Sequence, residues 1–501
     1  MAVPPPLGDV VVGAGATVVG AGAAVVGAGA AVVGAGATVV TTGASVLGTG
    51  AAVVTGDSVV LGSADDPSSP ESPHAISDMA TTVAAPRRRM TRTFTGSNLL
   101  LGKGSATYQH PATALNIAVA NVTHGQTAPY GLAMTTNVPA VHGRINDLDS
   151  HLQVPISRWA EVFGDATARF GERFAHIPFF DDTDEPELTT ESVWTTKSTA
   201  APGACTPEGR LAALDVMGIE RQLIFPQVIL AASAWADHPN AAPVLREYND
   251  AVLRWTSAGG GRLRPTALLN LTTIDGAIAE AERVAAGGAR AVLLQDGIAP
   301  GGFSPAAPEV DPLWALLADA SMPVTFHIGG QDGFFGSDAW PAADTLRPGG
   351  FSTGEPVGPH MLATMHLAVQ NYLAAMLYGG VFDRHPRLRV GVIELGAMWV
   401  GPFVDFLEDR LQMSRRLRDG LKRRPTEVFV DQIRVTPFFW ERTARQIERY
   451  GMPEIYAFST DFPHPEGGTD PIGRFAGDIG PLGDDAVEAF FVRNAEFLLP
   501  A

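Results

Sequence analysis

The 501-residue chain is 46% hydrophobic and 18% charged, enough to bury a large core, so disorder along its whole length is excluded. Its formal charge of −18, from 53 acids against 35 bases, argues against a phosphate-binding surface, and no nucleic-acid partner is expected. Cys205 is the only cysteine, so no intramolecular disulfide can form, any metal must rely on His and carboxylate ligands, and a cytoplasmic location is expected.

Residues 1–62 carry a heptad repeat, "VVGAGAT VVGAGAA VVGAGAA VVGAGAT", with no charge between Val10 and Gly56. The span would cross a bilayer, but its Gly and Ala density and the missing basic flank fit neither a signal peptide nor a transmembrane helix, so no membrane association is expected. Paired valines followed by Gly-Ala-Gly, without charged flanking positions, also make a poor coiled coil. The expectation is a low-complexity, disordered extension. Residues 63–133, with "SADDPSSPESP" and "APRRRMTRTF", show no sustained amphipathic period and read as linker or disordered tail. Near-identical heptads are what a tandem duplication in GC-rich DNA encodes, which makes Met134 the expected natural start.

From Gly143 the texture changes to short apolar runs alternating with amphipathic stretches, the pattern of repeated β-α units on a parallel sheet. Eight candidate strands follow in order: 144–150, 221–226, 264–271, 289–295, 323–328, 388–395, 433–438 and 455–461. Helices are predicted in "IDGAIAEAERVAAG", "VDPLWALLADAS" and "FWERTARQIERYG", the last two leading directly into the next strand. The economical fold is an α/β protein, a (β/α)8 TIM barrel over residues 134–501. A doubly wound open sheet is the alternative, but no strand is followed by a Gly-rich phosphate turn.

In such a barrel the active face is built from the C-terminal strand ends. Asp149 and His151 end the first strand, His327 the fifth, Glu394 the sixth and Asp461 the eighth. Each closes an apolar run, where a buried ionisable group is costly unless paired or metal-bound. Imidazoles and carboxylates around one divalent ion, with a position left open for water, make up a catalytic site. Zn²⁺ suits these ligand types best and Mn²⁺ is the alternative; a bound water acidified to a pKa of about 7 is then available at neutral pH. Asp461 is the candidate for ligand and general base together. Taken singly, each residue has a plainer role: Asp149 and Asp461 as caps, the histidines as satisfied core residues, Glu394 as a salt-bridged barrel residue.

Among the other histidines, His464 in "DFPHP" is a candidate partner orienting Asp461, whereas His360 and His366 belong to an amphipathic helix. His74, His110 and His124 lie in the tail. The long connection 329–358, with Gly hinges and Phe334, Phe335 and Trp340, suits a lid over an aromatic or apolar substrate. Its other role would be an oligomer contact, and a homodimer is the assembly considered. Trp194 and Lys197 stand in a segment that reaches toward the mouth, with Lys197 placed to meet a substrate carboxylate.

From about Gly143 to Phe497 the chain resembles the amidohydrolase-related proteins grouped with aminocarboxymuconate-semialdehyde decarboxylase and gamma-resorcylate decarboxylase. The stretches that carry the resemblance are "DLDSHLQVP", "RLAALDVMGIERQLIFP", "MPVTFHIGG", "GGVFDRHPRLRVGVIELGAMWV" and "FSTDFPHPEGG". It implies a metal-dependent (β/α)8 barrel with one Zn²⁺-like ion held by Asp149, His151, His327 and Asp461. Two departures matter. Many relatives read "DSHxxEP" where this chain has Val154, and the typical decarboxylases have a histidine where this chain has Glu394. The expected activity is a metal-dependent hydrolase acting on a small organic substrate, aromatic or unsaturated and carboxylic, with catalysis by Asp461, Glu394 and His327. The alternatives are non-oxidative decarboxylation and a catalytically degenerate binding protein.

A chain begun at Met134 is expected to fold and bind metal as the full chain does. Measuring helicity and bound metal for both checks this, and a loss of either on truncation overturns the Met134 start.

Overall fold

The computed structural model describes residues 140–227, 230–231, 241–330, 340–346 and 357–499, together with eight short backbone strands between Val10 and Val60. The chain divides into two units, Met1–Val119 and Ala120–Ala501. In the first, alternate heptads pair in parallel, Val10–Val12 with Ala24–Val26 and Thr17–Val19 with Ala31–Val33, which distributes the repeat between two small sheets. The disorder expected of the extension otherwise concerns residues outside the described ones, as do the linker 63–133 and Met134.

The second unit is built on a seven-stranded, wholly parallel sheet whose spatial order is its chain order. Its strands are β1 (Ile145–His151), β2 (Ile219–Phe225), β3 (Leu263–Leu268), β4 (Ala291–Leu293), β5 (Val324–His327), β6 (Val390–Ile393) and β7 (Ile433–Val435). All but β2 are buried along their whole length, as expected of a parallel sheet covered on both faces. The connections carry helices: α1 (Pro207–Met217), α2 (Ala241–Ser257), α3 (Ile274–Ala286), α4 (Asp311–Asp319), α5 (His366–Tyr378), α6 (Val400–Leu411), α7 (Pro425–Gln432) and α8 (Thr443–Tyr450).

Local chemistry sets several of these ends. Thr206 caps α1 by accepting from the Gly209 amide at 3.2 Å, Pro207 follows it, and Gly218 closes the helix at φ 74°, where a side chain would be strained. Thr273 caps α3 in the same way.

The eighth predicted strand takes a different form. Residues 455–461 form no ladder strand, yet the segment bridges both edges of the sheet, Tyr456 to Val435 of β7 and Phe462 to Ser150 of β1. Backbone bonds support it on the β1 side, from Leu148 N to Phe458 O at 3.1 Å, Asp461 N to Asp149 O at 2.9 Å and His151 N to Phe462 O at 2.7 Å. On the β7 side, Ala457 N donates to Val435 O at 3.1 Å. The bonding is too sparse for a ladder because the segment leaves β7 after one contact and turns sharply at Asp461, which has φ 53°.

A buried carboxyl pins this segment to β1. Asp147 accepts from Asp149 N at 3.1 Å, Thr460 N at 2.9 Å, Thr460 Oγ1 at 2.6 Å and Gln222 Nε2 at 2.7 Å. Burial nevertheless pushes its pKa up to about 7. The Thr460→Val substitution removes one of these donors and is expected to destabilise the fold by roughly 1.5–3 kcal/mol, the usual worth of a hydrogen bond to a charged group. Urea unfolding of the two chains checks it, and a midpoint unchanged within error counts against the pinning role of Asp147.

Candidate metal centre

The strand ends converge as the sequence predicts. His151 Nε2 lies 3.4 Å from Asp149 Oδ1 and 3.3 Å from Asp461 Oδ1. His327 Nε2 lies 3.4 Å from Asp149 Oδ1 and 3.1 Å from Glu394 Oε2. All five side chains are buried. Glu394 and Asp461 both have left-handed backbone, at φ 52° and 53°, which costs a non-glycine residue about 1–3 kcal/mol and turns each carboxyl off the end of its segment.

Both imidazoles have a defined tautomer. The Nδ1 of His151 faces the Pro226 carbonyl at 2.8 Å and that of His327 faces the Ile328 carbonyl at 3.1 Å. A carbonyl only accepts, so each Nδ1 carries a proton and Nε2 is the ring nitrogen turned toward the cluster.

Seven atoms here are buried without any hydrogen bond: both carboxylate oxygens of Asp149 and of Asp461, Glu394 Oε2, and Nε2 of His151 and of His327. Leaving that many polar atoms dry and unpartnered is costly unless a cation receives them. The donor set therefore fits a divalent metal ion. The ligand-capable atoms fall into two overlapping groups, Asp149, His151, His327 and Glu394, and His151, Glu394, Asp461 and His464, with atoms in each within 4.8 Å of one another. The predicted ligands Asp149, His151, His327 and Asp461 are thus all present but divided between the two groups, and Glu394 belongs to both.

Charge divides the carboxyls. Burial would raise Asp149, but His327 and His151 outweigh it and hold the group well below the usual carboxylate range. Asp461 is likewise held low by His464 and His151 against its burial. Glu394 goes the other way, raised by burial and then by the charges of Asp461 and Asp149. Burial disfavours the charged form of His151, yet Asp149 and Asp461 lift it to about 10, so a proton between those carboxylates competes with a metal ion for the same nitrogen.

The Lys197 ammonium donates to the Gly468 carbonyl at 2.5 Å, and burial lowers its pKa to about 8 against the pull of Asp461 and Glu466. Trp194 packs against the core. Trp340 is 78% exposed on the surface, so its predicted contact with substrate has no geometric support, and most of the proposed lid, including Phe334 and Phe335, lies outside the described residues.

The narrow cleft over the cluster, about 10 Å³ in volume, is walled by Asp149, Glu394, Asp461, Glu466, Phe438 and Phe439. Sequence reading missed Glu466 and the two phenylalanines. The "PFFWER" that follows β7 was the available signal, since aromatic residues just past a strand end face the mouth of a parallel barrel. It also missed Asp147, although an Asp-x-Asp-x-His run places that residue on the same face of the strand as the cluster.

The amidohydrolase family matches residues 148–501, and the chain belongs to that family. It is accordingly a metal-dependent enzyme, a hydrolase or a carboxy-lyase. An amidohydrolase from Mycobacterium avium subsp. paratuberculosis K-10 is similar over 71% of this chain and 99% of its own, at 19% identity and a TM-score of 0.54. A 2,6-dihydroxybenzoate decarboxylase from Rhizobium is similar over 71% of this chain and 98% of its own, at 19% identity and a TM-score of 0.51. A 5-carboxyvanillate decarboxylase from Sphingomonas paucimobilis is similar over the same shares, at 15% identity and a TM-score of 0.50. At these identities the likeness concerns the fold. No curated protein matches the chain. Among the described residues, no helix is long and apolar enough to cross a membrane.

The His327→Ala chain is expected to lose stoichiometric metal and, with one imidazole gone, to fall at least about tenfold in zinc affinity. Elemental analysis after dialysis checks it, and full retention of the ion would remove His327 from the ligand set.

Proposed function

We propose that the chain is a (β/α)8-barrel carboxy-lyase that removes CO₂ from a small aromatic carboxylic acid, with one divalent ion, Zn²⁺ or alternatively Mn²⁺, held among Asp149, His151, His327 and Asp461. The observation that carries this reading is the buried Glu394 carboxyl, which lines the cleft and is raised by burial and by two neighbouring carboxylates. One divalent ion offsets two carboxylates, and the neutral imidazoles add no charge. Of the three carboxyls, Glu394 is the one whose surroundings favour the protonated form. A proton donor over the cleft is what decarboxylation needs: as the bond to the carboxylate breaks, its electron pair stays on the ring carbon and takes the Glu394 proton. When bound, the ion supplies positive charge that binds and orients an anionic oxygen of the substrate.

The remaining roles follow from placement. Phe438 and Phe439 offer an apolar wall to a planar ring. Lys197 pairs with an anionic substituent, and His327 holds the ion beside Glu394, its Nε2 lying 3.1 Å from Glu394 Oε2. The decarboxylase names borne by two of the structural relatives agree with this reaction class. Hydrolysis, first in order on the sequence alone, remains the second reading because Asp461 is held low enough to serve as a base. The lone buried Cys205 agrees with a reducing cytoplasm.

The test loads the full chain with Zn²⁺ or Mn²⁺ and supplies hydroxybenzoic acids beside their esters, amides and lactones, measuring CO₂ against acid released. CO₂ is expected, and Glu394→Gln should lower kcat by roughly 10²–10⁴-fold, the span of general acid catalysis. KM should rise as pH climbs through about 8, where Lys197 loses its charge. Release of acid without CO₂ transfers the assignment to hydrolysis, and no product from a fully loaded chain defeats both.

A further inference from the structure

The Val154 carbonyl can only accept a hydrogen bond, and it takes one from Gln227 Nε2 at 3.0 Å. The same nitrogen donates to Gln153 Oε1 at 2.6 Å. This turns the other end of the Gln153 amide, its Nε2, toward His464 Nε2 at 2.6 Å. Reversing Gln153 would set its NH₂ against that of Gln227, and reversing Gln227 as well would set two carbonyl oxygens together at Val154. An imidazole nitrogen that receives an amide N–H is bare, so the His464 proton sits on Nδ1, which faces Asp461 Oδ1 at 3.0 Å.

We infer that Gln227, Gln153 and His464 form a directional relay, anchored on the Val154 carbonyl, that makes His464 a proton-bearing neighbour of Asp461 and keeps it from ligating the metal. The inference rests on the reading of Asp461 as a carboxylate of the metal site. All three relay side chains are buried, so bulk water does not compete for their hydrogen bonds. The His464 ring is held from other directions too: it stacks on His151 with centroids 3.9 Å apart at 21°, and its backbone amide donates to Asp461 O at 2.8 Å. The ligand group that contains His464 would need the Nδ1 lone pair, which the relay leaves protonated. The proposed ligands Asp149, His151, His327 and Asp461 make no such demand. Gln153, Gln227 and His464 are therefore positioning residues: they set which His464 nitrogen carries the hydrogen beside Asp461.

The experiment is ring ¹⁵N NMR of the full chain, zinc-free and zinc-loaded, with His464 assigned from the His464→Gln spectrum. Wild type is expected to show an unprotonated Nε2 and a protonated Nδ1 in both states, and His464→Gln should retain stoichiometric zinc. In Gln153→Glu the new carboxylate only accepts, so Nε2 should gain a proton and zinc affinity should fall by roughly 10–100-fold, as second-layer changes at metal sites do. Gln227→Leu, which keeps the site apolar if the charged variant fails to fold, should give a mixture of the two tautomers. A wild-type Nε2 that carries the proton, a His464 signal that loses Nδ1–H on adding zinc, or a tautomer unmoved by both substitutions overturns the relay. Failure to bind zinc at all would instead count against the proposed function, and the zinc-free spectra would still decide the relay.

Discussion

The catalytic end of this fold depends on how the two edges of the parallel sheet meet. They meet through an extended segment with few backbone bonds, and the carboxyl of Asp147 supplies what the ladder lacks. Its four hydrogen bonds reach the backbone of Asp149, both donors of Thr460 and the amide of Gln222. Asp149 is one of those bonded groups and Asp461 follows another, and a backbone bond at 2.9 Å ties the two directly. Gln222 in turn accepts from Arg210 at 3.3 Å, and Arg210 also donates to the His151 carbonyl at 2.6 Å. One buried network thus fixes the backbone under three residues of the metal cluster.

The second constraint is charge. Asp149, Asp461 and Glu394 are brought together in a dry mouth, and water cannot screen them there. The two aspartates stay ionised because imidazoles stand beside them, whereas Glu394 is pushed toward its acid form by those same aspartates. A shared environment therefore shifts like groups in opposite directions. The φ of 52–53° at Glu394 and Asp461 is the backbone cost of pointing both carboxyls at one place.

Much of the framework was legible in the chain. Seven of the eight candidate strands match ladder strands, because fully buried parallel strands are short apolar runs that differ sharply from the amphipathic helices between them. The strand-end position of Asp149, His151, His327 and Glu394 was legible for the same reason. The eighth run was read as a strand since its composition is that of one; its pairing is decided by the turn at Asp461 and by Asp147. Trp340 combines an aromatic ring with a place in the Gly-hinged connection after β5, and its 78% exposure shows that neither locates a pocket wall without a known direction.

What the sequence by itself determined is the set of chemical groups and the order in which strands deliver them, since periodicity and strand ends are local properties. Which groups share a ligand set, which carboxyl is pushed toward its acid form and which nitrogen of His464 carries hydrogen were decided only in the tertiary structure. Those properties depend on distances of 2.6–3.4 Å between residues as far apart in the chain as Gln153 and His464. Burial, the charge of neighbours and the one-way polarity of a carbonyl act across such gaps, and none of them has a signature in a linear stretch of residues.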